Sequence, residues 1–291
     1  AMSPSTRGII YIVTGQKFVE EACRSAASVK QCMPDIPITM LSDVPVRSPL
    51  FEQVVPIANP THGPEDKIKY LAHSPYEETL YLDSDTYMTE DSREVFALLE
   101  RFDLAAAHAP YRAQYQVCEV PDCFPELNTG VILFRKTAVM RLCFDQWLQI
   151  YRADREKTVD WLFPGGAAWY RRALPNQPSF RRVVYESGLR ITVLPPEYNC
   201  RIPFPGFVHT KVKIIHGRSE SFSALADELN KTLRPRVHIM RWGKLQIMES
   251  AMPPGDHVLA RTRWSLHHCG MLQTARVAIT KCLSTVFGCR G

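Results

Sequence analysis

Several common protein classes are excluded by what this sequence lacks. It contains no Cys-x-x-Cys, and its nine cysteines are odd in number and scattered, with Cys118 and Cys123 the one close pair. That argues against a zinc ribbon and against a dense disulfide framework. Reduced thiols in a cytoplasmic protein are the expectation. No run of about eighteen apolar residues occurs, so no helix is expected to span a membrane. Internal repeats and low-complexity tracts are missing, which sets aside solenoids and disordered chains. No signal-peptide pattern is expected, and Ala1-Met2 reads as a remnant ahead of the native methionine.

What is present is ordinary for a soluble globular protein. The chain has 291 residues, 45% hydrophobic and 22% charged, enough for one large domain or two small ones. The net charge of +5 is unevenly placed: Arg218 to Gly291 holds eleven basic residues against five acidic ones. Such an extension suits a solvated surface or an anionic partner. Trp242 and Trp264 lie among its arginines and permit stacking, but no nucleic-acid motif accompanies them, so nucleic acid is not the expected partner. Residues 274–287 read as a helix with Val277, Ala278, Leu283 and Val286 beside Arg276 and Lys281. That pattern fits docking on an anionic membrane surface as well as packing on a core.

Strand and helix patterns alternate along residues 8–194. Gly8–Val13, Ile38–Leu41, Val54–Ile57, Thr79–Leu82, Asp103–Ala107, Thr129–Phe134, Arg190–Leu194 and Lys213–Ile215 read as strands. Helices are predicted over 17–31, 66–73, 92–100 with Ser92 as cap, 137–151, 177–187 and 221–233. Residues 155–175, rich in Gly, Pro and Trp, read as an insertion or lid. The alternation predicts an open, mostly parallel α/β sheet flanked by helices. Residues 1–218 would form it, and 219–291 would be a basic, partly helical extension packed on it.

In such a sheet, ligands bind at the carboxyl ends of the strands. Asp83 and Asp85 follow a buried strand, and residues two apart in extended chain face the same side. Two carboxylates there can approach one hard cation, or one can hold a metal and the other a sugar hydroxyl. A polar turn after a strand would carry the same residues.

Leu82-Asp83-Ser84-Asp85-Thr86 resembles the Asp-x-Asp strand end of GT-A fold glycosyltransferases, above all the glycogenin-like retaining group. Other segments are similar in the same order. Ile10-Tyr11-Ile-Val-Thr14-Gly15 resembles the first strand and turn, which hold uracil and ribose in that group. Lys67 falls where the group places a lysine near the donor phosphates and sugar. Asn128-Thr129-Gly130 is similar to the strand start whose asparagine touches the sugar. Asn176-Gln177 is similar to an Asp-Gln helix start, and Ile214-Ile215-His216-Gly217 to the strand end whose histidine is the third metal ligand.

The resemblance covers roughly residues 8–218. It implies a GT-A (Rossmann-like) fold with Asp83, Asp85 and His216 on Mn²⁺ or Mg²⁺. Tyr11, Thr14, Gly15, Lys67, Ser84, Gly130, Gly217 and Arg218 would contact a UDP-sugar. Asn128, Asn176 and Gln177 would face the transferred sugar, which passes to an acceptor hydroxyl with retention. Three departures stand out. Asn128 and Asn176 are separated by more chain than the group's pattern has, in line with an inserted lid around Trp161–Trp169. An amide, Asn176, replaces the expected carboxylate. The usual Lys and Pro-Trp after the metal histidine are absent, so Arg218, Lys211 or Lys213 would supply the phosphate contact. The alternatives are a non-catalytic nucleotide-sugar or glycan binder, for which Asn176 speaks, and a sugar-phosphate nucleotidyltransferase. The second would carry a Gly-rich basic loop after its first strand, where this chain has Thr14-Gly-Gln-Lys-Phe18.

Overall fold

The computed structural model describes residues 6–110, 117, 119–155, 175–241 and 243–249, with 266, 267, 270, 271, 275 and 279. The predicted lid, Cys118, Trp242, Trp264 and the helix over 274–287 lie wholly or largely outside them. By internal contacts the chain divides into two compact units, Ala1–Met248 and Glu249–Gly291.

In the first unit a seven-stranded sheet runs in the order β3-β2-β1-β4-β7-β6-β8. Its strands are β1 (Arg7–Val13), β2 (Ile38–Ser42), β3 (Gln53–Pro56), β4 (Glu78–Leu82), β6 (Leu104–His108), β7 (Leu127–Arg135) and β8 (Ile191–Leu194). Strands β1, β2, β3 and β4 are mutually parallel, as are β6 and β8. Strand β7 opposes both its neighbours. The reversal matters for function: the start of β7 comes to lie beside the end of β4, with Leu82 opposite Val131.

Period-two alternation divides β1 between two cores. Ile10 and Ile12 face a cluster with Ile132, Phe134, Phe144, Trp147 and Phe180. That cluster is covered by α2 (Pro64–Leu71), α3 (Ala138–Arg155) and α4 (Gln177–Glu186). Ile9, Tyr11 and Val13 face Val19, Ala22, Ala26 and Val29 of α1 (Gln16–Cys32).

A second sheet, β5-β11-β9, is built from β5 (Thr86–Met88), β9 (Cys200–Arg201) and β11 (Ile214–His216). It pairs His216 with Thr86 on one side and Arg201 on the other. A third comprises β10 (Gly206–Val208), β12 (Arg236–Arg241) and β13 (Lys244–Glu249). Leu229 of α5 (Phe222–Asn230), Val208 and Ile215 join a small core beneath them.

Three details differ from the sequence reading. Residues Arg93–Glu100 form a 3-10 helix, and the Ser92 hydroxyl donates to the Glu90 carbonyl instead of capping it. Strands β5, β9 and β10 have two or three residues each, too short to show a period. The β12–β13 pair lies in the extension expected to be partly helical, where no strand was predicted, with Gly243 in the left-handed region between them (φ 71°).

Candidate active site

The turn after β4 is built to present two carboxylates. The Asp83 N–H continues the ladder by donating to Gly130 O (2.8 Å), and Thr86 Oγ1 closes the turn on Asp83 O (2.8 Å). Gly217 N–H donates to Asp85 O (2.9 Å), so the end of β11 is pinned beside Asp85. His216 Nε2 then lies 3.6 Å from Asp83 Oδ2 and 3.4 Å from Asp85 Oδ1. One ligand atom from each of the three residues falls within 4.8 Å of the others. Two carboxylate oxygens and an imidazole nitrogen suit a borderline divalent cation such as Mn²⁺, or Mg²⁺ with more water.

The surroundings divide the labour between the two Asp83 oxygens. Oδ1 accepts from Lys67 Nζ (2.9 Å) and from the Tyr81 hydroxyl, which leaves Oδ2 facing His216. Burial first, and the Asp83 charge second, raise Tyr81 well above its ordinary value, so it stays a donor. Burial alone would raise the Asp85 carboxyl. The charges of Arg218 and Arg201 oppose it and lower the group; a neutral His216 whose Nε2 carries no hydrogen adds nothing to that. His216 is pushed below 6.5, by burial first and then by Arg201, and so is neutral, as a metal ligand must be. The Arg201 guanidinium reaches Nε2 at 2.6 Å, so it and a cation are alternatives at that lone pair.

These groups sit at the head of a cleft of about 370 Å³, within the range of small-molecule sites. Thr14, Phe18, His62 and Asp66 line its far end; Asn176, Arg201 and Arg218 flank the acids. Asp66, buried, gathers the Thr14 hydroxyl (3.0 Å), both Thr61 donors and the His62 N–H (2.8 Å), fixing that end.

The structure thus brings Thr14, Lys67, Asp83, Ser84, Asp85, Asn176, His216 and Arg218 to one cleft. Asn128 and Gln177, expected to face the sugar, are not among the residues that line it; the Asn128 amide donates to Gln177 Oε1 at 2.9 Å. Gly130 and Gly217 serve packing. A Cβ on Gly130 would lie 1.9 Å from His216 Cε1, and Gly217 has φ 133° with Ile202 and Pro203 against it. Gly15 N–H donates to Asp43 (2.8 Å) at φ 95°.

Tyr11 stands apart from the cleft. It is fully buried against α1 with its hydroxyl on Ser25 (2.8 Å), because alternation turns it to the face opposite Ile12. Of the basic residues proposed for phosphate, Lys211 and Lys213 are paired with Glu90 and Glu94. Arg218 flanks the cleft, held by Glu21 at 2.8 and 3.2 Å. The sequence reading passed over Asn199 and Arg201. Their signal was two polar residues two apart on either side of Cys200, in a proline-rich stretch between two predicted strands.

No protein-family model matches the chain, and no curated protein matches its sequence. Solved structures do. The glycosyltransferase GlyE of Streptococcus pneumoniae TIGR4 superposes with a TM-score of 0.52 at 15% identity, over 74% of this chain and 55% of GlyE. Its apo form gives 0.52 at 16%. The apo structure of WbbM, a bifunctional glycosyltransferase, gives 0.51 at 13%, over 76% of this chain and 47% of WbbM. The chain has a GT-A glycosyltransferase fold. It spans about half the length of those proteins, and the likeness is one of fold. Within that fold the Asp83–Asp85–His216 group sits at the carboxyl end of β4, where a parallel sheet receives its ligand.

Proposed function

We propose that this protein is a metal-dependent glycosyltransferase that moves a hexose from a UDP-sugar to an acceptor hydroxyl with retention of configuration. The observation that carries this reading is the convergence of Asp83, Asp85 and His216 at the head of the cleft. A divalent cation held by them would neutralise the donor diphosphate as it leaves. Arg218 and Arg201, on the same wall, would bind the phosphates and supply preorganised positive charge worth several kcal/mol, on the order of what one such donor contributes elsewhere. Lys67 would hold Asp83 in place and reach the sugar side through Thr129 (3.1 Å to its carbonyl). Asn128, Asn176 and Gln177 would orient the hexose. In the transfer proposed, the bond from the sugar to the diphosphate would break as the acceptor oxygen adds on the same face, and the departing phosphate would take the hydroxyl proton, so no protein nucleophile is required.

The test is a panel of nucleotide sugars with and without Mn²⁺, read by thermal shift and by release of free nucleotide. UDP-sugars should stabilise the protein only with metal, and Asp85→Ala should abolish both effects. Nucleotide release that persists in Asp85→Ala with metal present would refute the assignment.

One observation favours a second reading. Asn176 places an amide, accepting from Thr129 Oγ1 at 3.0 Å, where the resemblance expects a carboxylate. A protein that binds the nucleotide sugar without turning it over would show metal-dependent binding and no release of nucleotide against any acceptor.

A further inference from the structure

The hydrogen bonds behind His216 all run in one direction. The Gly130 N–H donates to Asn128 Oδ1 at 3.0 Å. A backbone N–H cannot accept, so this atom of Asn128 is its amide oxygen and the other is its NH₂. Asn199 Nδ2 donates to the same oxygen at 2.9 Å. That turns Asn199 Oδ1 toward His216 Nδ1, 2.7 Å away. An amide oxygen cannot donate, so Nδ1 carries the imidazole hydrogen and Nε2 keeps its lone pair. The Arg201 contact at Nε2 agrees, since a guanidinium only donates. On the other side, Asn128 Nδ2 donates to Gln177 Oε1 (2.9 Å), and Gln177 Nε2 donates to Glu126 Oε1 (2.6 Å).

His216, Asn199, Asn128 and Glu126 are all buried. Water therefore cannot substitute for a lost partner cheaply. Hydrogen bonds aligned head to tail polarise one another, and this line ends on a carboxyl group. Metal-binding histidines commonly rest on a carboxyl or carbonyl oxygen through their second nitrogen. Here three amides stand between the imidazole and that carboxyl.

We propose that Asn199 is a positioning residue that carries the fixed orientation of the β7 backbone into the metal site. It holds His216 as the Nδ1–H tautomer with Nε2 aimed at Asp83 and Asp85. It also joins the metal ligand to Asn128 and Gln177, so the metal half and the sugar half of the site are oriented as one unit. Its importance for catalysis rests on the metal-site reading above; the tautomer does not.

The experiment uses the full chain with ¹⁵N-labelled histidine and compares wild type, Asn199→Leu and Asn199→Asp. Long-range ¹H–¹⁵N spectra without metal give the tautomer, and EPR titration with Mn²⁺ alone gives the affinity. Wild type should show Nδ1–H. Asn199→Leu should lose that preference and bind Mn²⁺ about 10- to 100-fold more weakly. Asn199→Asp keeps an acceptor for Nδ1–H, so its tautomer should hold and its Mn²⁺ affinity should exceed that of the leucine variant. A folded Asn199→Leu protein with the wild-type tautomer and Mn²⁺ affinity overturns the proposal. Should Asn199→Leu fail to fold, an Asn199→Asp protein that has lost the Nδ1–H form overturns it too, as does a wild-type spectrum of the Nε2–H form. Wild type that binds no Mn²⁺ yet shows Nδ1–H would sink the metal reading and leave the tautomer assignment standing.

Discussion

Gly130 and His216 are in contact so close that a single methyl group on Gly130 would lie 1.9 Å from the imidazole Cε1. The glycine belongs to β7, and the histidine ends a strand of another sheet. The Cε1 edge of the imidazole comes up to the β7 backbone because no side chain stands there, and this closeness also lets Asn199 bridge His216 and Asn128.

Gly130→Ala therefore acts on the proposed metal site before it acts on the fold. The ring must shift away from Asp83 and Asp85, and overpacking of this kind costs about 1–3 kcal/mol. Circular dichroism should show the native fold, while Mn²⁺ affinity falls at least tenfold. Unchanged Mn²⁺ affinity in the alanine variant would mean that His216 is not a ligand.

Arg201 gives a prediction with opposite signs in two measurements. Its guanidinium donates to His216 Nε2 at 2.6 Å and lines the same cleft as the acids. Arg201→Gln removes a positive charge and a competing donor from the cation position, so Mn²⁺ alone should bind severalfold more tightly. UDP binding in saturating Mn²⁺ should weaken, because a phosphate contact is lost. Calorimetry reads both constants, and a loss of Mn²⁺ affinity would contradict the assigned geometry.

The pH dependence follows from His216. Its folded-state value lies below 6.5, through burial and the Arg201 charge. In the unfolded chain it protonates near 6.5, so below that pH the unfolded state binds more protons. Stability from this group is thus fully present above about 6.5 and is lost as pH falls through the folded value. Melting temperature should drop on acidification from pH 7, and His216→Gln should flatten that slope. Asp85, also held low, adds a loss at more acidic pH. Equal slopes in wild type and His216→Gln would show that His216 is not held neutral.

Asn176 begins α4 and accepts from Thr129 Oγ1, which lies 3.4 Å from Lys67 Nζ. A carboxylate would fit the same donors and would sit favourably at a helix N-terminus. Asn176→Asp should therefore leave stability within about 1 kcal/mol. If the chain is a transferase, it should raise nucleotide release about tenfold, the scale of one electrostatic contact in the transition state. Release that stays unchanged in this variant would remove residue 176 from the chemistry.

Trp147 supports the same helix start. It is fully buried, and its indole N–H donates to Asn176 O (3.2 Å) and Ser179 Oγ (3.0 Å). Trp147→Phe should destabilise the protein by about 1–3 kcal/mol through the smaller ring and the lost indole hydrogen bonds, while Asn176 O keeps the Ser179 hydroxyl and the Phe180 N–H. Urea denaturation reads this, and a neutral result would mean the core repacks around the phenylalanine.

The sequence by itself determined the parts of this protein that depend on local chemistry. The apolar runs of β1 and of β4 before Asp83, and the helical stripes of α1 and α3, were legible because the burial of each element marks consecutive or regularly spaced residues. The acids at 83 and 85 could be picked out by their spacing after a buried strand, but a turn closed by Thr86 on Asp83 O, and not the extended chain that was expected, presents them.

Only the tertiary structure decided how those parts meet. That β7 runs antiparallel cannot be read from its own residues, since the apolar run Val131–Phe134, buried on both faces, looks the same in either direction. Yet that reversal alone sets Asn128 and Gly130 beside Asp83. The two- and three-residue strands β5, β9 and β11 carry no periodicity, and they are what bring His216, Arg201 and Asn199 to the acids from far along the chain. Tyr11 shows the converse: the right motif in the right strand, turned into the core by the pleat. A metal site assembled from distant segments is set by backbone pairing between them, and pairing is a property of the whole fold.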